Sequence, residues 1–112
     1  MPHYVYMLRC AGDRIYTGYA VDVEVRFEEH CSGRGAKFTK AFPPECVLRT
    51  FELDSREEAL RLEARIKLLP RSKKELLAAG DKEIEAALIA GLGERLKRRR
   101  KKKKRDAGPS PA

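Results

Sequence analysis

Five side chains in the first two thirds of this chain have the chemistry to cut a phosphodiester bond. Arg26 and His30 stand four residues apart, so on a helix they share one face, one turn from each other. Tyr6 and Tyr16 lie in two short runs of strand-forming residues separated by a turn. Glu63 is flanked by Leu62 and Ile66 in a segment of helical period, at a core edge where an acidic group finds a partner or a metal. Phosphodiester hydrolysis asks for a base that takes a proton from water and for a positive group that meets the phosphate charge. It also uses a hard divalent cation, bound through carboxylate oxygen, to meet the leaving oxyanion. Each residue has an ordinary structural reading as well. Tyr4, Tyr6 and Tyr16 suit a small sheet as strand aromatics. Arg26 and His30 suit a solvated helix face, and Glu63 is one more charge among Glu57, Glu58, Arg61 and Arg65. Residue type and spacing leave both readings open.

The elements that would position this set follow from local signals. Residues 4–10 and 14–18 read as two strands joined by the turn Ala11-Gly12-Asp13. Asp22 is placed to cap a helix over 23–31, with Val23, Phe27 and either His30 or Cys31 on one side. Ser32-Gly33-Arg34-Gly35 ends it, and a third strand follows over 46–53. Ser55 with Glu58 is a capping box for a helix over 56–69, whose apolar side is Ala59, Leu62, Ile66 and Leu69. Pro70 stops that helix. Ser72 with Glu75 repeats the capping pattern before a short helix that Gly80 ends. Asp81 starts a last helix, over 81–96, with a stripe of Ile84, Leu88, Leu92 and Leu96. All eight aromatics lie at or before Phe51. The order predicts an α+β domain: a small three-stranded antiparallel sheet flanked by helices, then an extra helix and a tail.

Composition narrows the class. A chain of 112 residues fits one domain. Its formal net charge of +8 resides in its last nineteen residues, where ten basic residues face only Glu94 and Asp106. Residues 1–93 are formally neutral. The run Lys97–Arg105 repels itself and builds no core, so 97–112 reads as a mobile, disordered tail. Such a tail serves as an arm for nucleic acid or as a solvated end. The three cysteines, Cys10, Cys31 and Cys46, form no CxxC pair and no zinc set with His3 and His30. No apolar run nears the ~20 residues of a membrane span, and the first residues lack a secretory pattern. The expectation is a reduced, cytoplasmic protein.

Ordered motifs add a resemblance. Y-V-Y at 4–6 and Y-T-G at 16–18 resemble the two halves of the GIY-YIG nuclease motif. D-V-E-V-R-F-E-E-H at 22–30, S-G-R-G-A-K-F-T at 32–39 and A-L-R-L-E-A-R-I-K at 59–67 resemble the stand-alone, single-domain bacterial branch of that family. The resemblance spans roughly residues 3–80, so 1–80 reads as the nuclease-like domain. It implies a metal-dependent endonuclease of DNA with an expected place in repair or recombination; a domain this small has little surface for reading a long sequence, so structure-directed binding is the expectation. It implies Tyr6 as the base that activates water, with His30 as the rival base or a phosphate ligand. Tyr16 would orient water or phosphate, and Arg26 would bind the scissile phosphate. Glu63 would hold one Mg²⁺ or Mn²⁺, and Gly18 would keep the strand end open to close approach.

Arg34, Lys37 and Lys40 are candidate nucleic-acid contacts, with Phe38 either stacking on a base or lying in the core. The expected partner is DNA, in branched, nicked or single-stranded form, with RNA left open and no membrane. A rival reading is a non-catalytic nucleic-acid-binding module that relies on the basic tail. A third is a nuclease that docks a protein partner or a second copy through Ile84, Leu88, Leu92 and Leu96.

Overall fold

A computed structural model describes residues 2–92. In chain order the elements are β1 (His3–Cys10), β2 (Arg14–Ala20), α1 (Val23–Cys31), α2 (Lys37–Ala41), β3 (Pro44–Leu53), α3 (Arg56–Lys67) and α4 (Arg71–Ala78). A fifth helix, α5, covers 82–92. The sheet order is β2-β1-β3 and both pairings are antiparallel. The expected α+β architecture is therefore the one observed.

Local chemistry accounts for most of the boundaries. The β1–β2 turn places Gly12 at φ 77° and Asp13 at φ 59°. Two successive left-handed residues suit a tight hairpin, and Gly and Asp tolerate that region. Asp22 caps α1 by accepting the Val25 N–H at 3.1 Å. Ser55 caps α3 through the Glu58 N–H at 3.1 Å, and Asp81 caps α5 through the Ile84 N–H at 3.0 Å. Each such cap contributes about 1 kcal/mol.

The central strand is buried on both faces because its side chains alternate. Val5 and Met7 point to one face, where Phe51 and Leu53 of β3 join Ala59, Leu62 and Ile66 of α3, Leu77 of α4, and Leu88 and Leu92 of α5. Tyr6, Leu8 and Cys10 point to the other face, where Tyr16, Val23, Phe27, Phe38 and Phe42 pack. Burying each such aliphatic side chain fully is worth about 1.5–3 kcal/mol.

Two expectations need correction. The first is the Ser72–Glu75 capping box. α4 begins at Arg71 after Pro70, without a side-chain cap, and Glu75 turns to the sheet. Arg9 donates two hydrogen bonds to it, at 2.9 and 2.8 Å. That guanidinium pulls the Glu75 carboxyl down to about 2. A bidentate charged pair outweighs a neutral cap. The second is the stripe offered to a partner. Leu88 and Leu92 are core residues and Ile84 packs against them, so the chain's own sheet covers this face. Arg49 of β3 locks the arrangement, donating to the Leu77 carbonyl at 3.0 Å and to the Glu85 carboxylate. Gly91 fits there because a Cβ would stand 2.9 Å from Arg65 Nη2. The segment around Phe38, for which the sequence offers no element, forms the short helix α2. Leu96 and the basic tail 97–112 lie outside the described residues.

Candidate active site

Tyr6 sits on the central strand with 1% of its surface exposed. Its cross-strand neighbour on β2 is Gly18. A Cβ there would stand 2.4 Å from Tyr6 Oη and 2.6 Å from Cζ, so only glycine leaves room for the phenol to lie across β2. The space above Gly18 thus seats the Tyr6 ring. Tyr16 lies diagonally across from Tyr6, two residues before Gly18 on β2. The two ring centroids are 6.3 Å apart.

α1 delivers Arg26 and His30. His30 is 1% exposed, and the structure chooses it over the exposed Cys31 as the inward residue of α1. Its ring meets the edge of Tyr16 at 5.1 Å between centroids. Gly35 closes the far side: a Cβ there would stand 2.1 Å from His30 Nδ1. Two bare backbone positions, Gly18 and Gly35, therefore flank the two buried rings.

The hydrogen bonds fix the proton positions. The Thr39 hydroxyl donates to the Ala36 carbonyl at 3.0 Å. Its oxygen then accepts the His30 Nδ1–H at 2.7 Å, which leaves Nε2 as an acceptor. The Tyr6 hydroxyl donates to that nitrogen at 2.8 Å. Burial pushes the Tyr6 phenol up to about 12, with Tyr16 and Glu63 adding to the rise and the Arg26 guanidinium opposing it. Burial, then the charge on Arg26, holds His30 below its ordinary value. At neutral pH the pair is a neutral phenol bonded to a neutral imidazole. The phenol can accept a proton only while passing its own to Nε2.

Arg26 is half-buried. Its Nη1 donates to Glu29 Oε1 at 2.8 Å, which raises its pKa, and its guanidinium opposes the rise at the Tyr6 phenol. Glu63 lies on α3, with 17% of its side chain exposed and Lys67 Nζ 3.0 Å from Oε2. Its charge reaches Tyr6. Among the described residues no three His, Cys, Asp or Glu side chains gather to cage a metal. A single carboxylate still fits Mg²⁺, which keeps several waters and takes further oxygens from substrate phosphates.

The structure thus brings Tyr6, Tyr16, Arg26 and His30 into one cluster, with Glu63 acting on it through its charge. Arg34, Lys37 and Lys40 are exposed around α2. Phe38 is partly buried and stacks on Tyr16 at 5.7 Å. Sequence reading singles out the basic residues of S-G-R-G-A-K-F-T and passes over Gly35 and Thr39, which build the seat of His30. Neither carries a charge or a period that marks it.

Comparison with known proteins agrees with this architecture. Residues 2–75 match the family model described as the GIY-YIG catalytic domain. The UPF0213 protein BH0048 of Halalkalibacterium halodurans is 46% identical over 79 residues, covering 70% of this chain and 84% of the relative. The UPF0213 protein NP_0776A of Natronomonas pharaonis is 46% identical over 79 residues, with 70% and 93% covered. The UPF0213 protein VC_A0739 of Vibrio cholerae is 44% identical over 85 residues, with 75% and 84% covered. The solution NMR structure of the BH0048 protein matches with a TM-score of 0.47 at 46% identity, covering 70% of this chain and 84% of that one. This chain belongs to the GIY-YIG family, and its relatives there are the small UPF0213 proteins.

Proposed function

We propose that this protein is a divalent-metal-dependent endonuclease that hydrolyses phosphodiester bonds in DNA. The observation that carries the reading is the buried relay Tyr6–His30–Thr39, whose donors and acceptors all point one way. In this reading an attacking water gives its proton to Tyr6 Oη as the Tyr6 proton moves to His30 Nε2. His30 faces the ring of Tyr6, so it acts through the phenol. The rival assignments of the base become two halves of one device. Thr39 holds the tautomer that makes the transfer possible. Arg26 stays charged and meets the phosphate, and Tyr16 orients it. Glu63 would hold one Mg²⁺ or Mn²⁺, which when bound offsets charge on the phosphate and the leaving oxygen.

A domain this small has little surface for reading a long sequence. DNA shape is the better substrate criterion, with branched, nicked and single-stranded forms as the candidates and repair or recombination as the setting. The free thiols of Cys10, Cys31 and Cys46 support a reducing compartment, the cytoplasm. No helix among the described residues is long and apolar enough to cross a membrane.

The test is cleavage of fluorescent branched, nicked, linear and single-stranded DNA, with RNA alongside, by the full chain in Mg²⁺ or EDTA. Tyr6→Phe should lose about 10²–10⁴-fold in rate, the usual share of a general base, while DNA binding persists. Wild-type-like cleavage by that variant would overturn the relay. Binding with no product from the wild-type protein would leave a non-catalytic module.

A further inference from the structure

Beside the Tyr6–His30 cluster, at the β2 edge, lies a second concavity of about 210 Å³, lined by Arg14, Ile15, Phe38, Arg71 and Lys74. Its lining carries three cations and no carboxylate. Arg14 and Arg71 are exposed, but each has a partner on the protein. Arg14 lies 4.0 Å above the centre of the Phe42 ring. Arg71 is tied to the turn by the Asp13 backbone and carboxylate and pairs with Glu75 at 3.3 Å, so Arg14 and Lys74 carry most of the cavity's free charge, and Lys74 is half-buried. Arg71, Lys73 and Lys74 stand in the first turn of α4, which holds no acidic residue. Helices favour acids there, so this placement weakens the helix while concentrating positive field at the cavity mouth.

Phe38 connects the two sites. One side of its ring stacks on Tyr16 at 5.7 Å, and Tyr16 in turn meets His30 at 5.1 Å. Two stacked rings, Phe38 and Tyr16, therefore link the cavity to the relay. A nucleic-acid strand carries a phosphate about every 3.4 Å of axis, so a strand engaged at Tyr6 has further phosphates within that reach. The volume is below the ~300 Å³ at which small-molecule pockets begin, which favours one group of a polymer over a free metabolite.

We infer that the Arg14–Arg71–Lys74 cavity is a second substrate subsite: it takes a backbone phosphate of the DNA strand next to the scissile one, with the adjoining sugar or base against Phe38 and Ile15. This rests on the nuclease reading for its substrate, but the cavity is assigned from its own residues. It gives the enzyme a directional grip, since contacts lie to one side of the bond that is cut.

The experiment measures binding without cleavage. The full chain is titrated in EDTA against a short fluorescein-labelled single-stranded oligodeoxynucleotide, by anisotropy, over a range of salt. Each lost phosphate contact lowers the salt slope by about 0.7 on single strands. The double variant Arg14→Gln/Lys74→Gln should therefore lose about 0.7 from the slope and bind about fourfold more weakly near 0.15 M salt. Lys82→Gln, on α5 away from the cavity, should bind as the wild type does. An unchanged slope in the double variant with its thermal melting preserved, or an equal loss in Lys82→Gln, overturns the subsite. A reduced slope in a protein that never cuts DNA keeps the subsite and removes the nuclease. Normal cutting with an unchanged slope removes the subsite alone.

Discussion

One strand serves two interiors. Behind β1, Val5 and Met7 meet leucines and isoleucine from three helices in an apolar cluster. In front of it, Tyr6 enters a layer of aromatic rings that also encloses His30 and Thr39, both 1% exposed. The rear interior is tolerant in kind, because any apolar set of the right volume supports a sheet. The front one is exacting, because a buried polar atom left without its partner costs about 1–3 kcal/mol. Alternation along a strand lets a small domain have both: the even positions face the proposed site and the odd positions anchor the strand to the apolar core.

Substitutions can break or sharpen this division. The largest contrast sets Tyr6→Phe against Leu62→Ala. Leu62 is fully buried in the rear core, and its truncation should cost about 2–5 kcal/mol of stability, read as a lowered denaturation midpoint. At temperatures where it is folded, its catalytic rate should be near that of the wild type. Tyr6→Phe should do the reverse, losing the rate while costing about 1–3 kcal/mol for the His30 nitrogen left bare. If both variants lost rate and stability together, the two interiors would be one.

A smaller effect is expected at Gly35→Ala. The new methyl would stand 2.1 Å from His30 Nδ1, so the ring must move. Overpacking of this kind costs about 1–3 kcal/mol, and cleavage should fall with it. Full activity in Gly35→Ala would mean that His30 is free to shift, and the relay would lose its fixed geometry.

The smallest effect is in pH. His30 is held below its ordinary 6.5 by burial and by Arg26, with Glu29 opposing, and it must be neutral to accept the Tyr6 proton. The rate should stay flat as pH falls through 6.5 and decline only below it. Stability follows the same sign. The unfolded chain binds a proton near pH 6.5 and the folded one does so lower, so stability present above 6.5 is lost as pH falls through the interval between. His30→Gln should flatten that slope in a denaturation series. A rate already falling above pH 6.5 would place the titrating group elsewhere.

What could be read beforehand follows from distance along the chain. The caps at Asp22, Ser55 and Asp81 act over three residues, so sequence alone exposes them. Glu75 has the local look of a cap residue because its partner, Arg9, lies 66 residues away. The Ile84–Leu92 stripe announces an apolar face, but not that Val5 and Met7 wait beneath it. α2 has only five residues and no side-chain cap, too little for a period to register. In the site, Tyr6, Tyr16, Arg26, His30 and Glu63 stand out through ordered motifs and chemical type. Gly35 and Thr39 matter only for where they sit against His30, and nothing local marks them.

Gly18 and Gly35 give the site an unusual kind of memory. At each, an absent side chain is the imprint of a ring: a phenol over one, an imidazole against the other. Substitution at either glycine and retention of the facing ring are mutually exclusive without movement of the backbone. A descendant sequence could change these positions freely only after giving up the ring opposite. In this fold an alanine at one of those two places would therefore testify to altered chemistry even where both tyrosines remained.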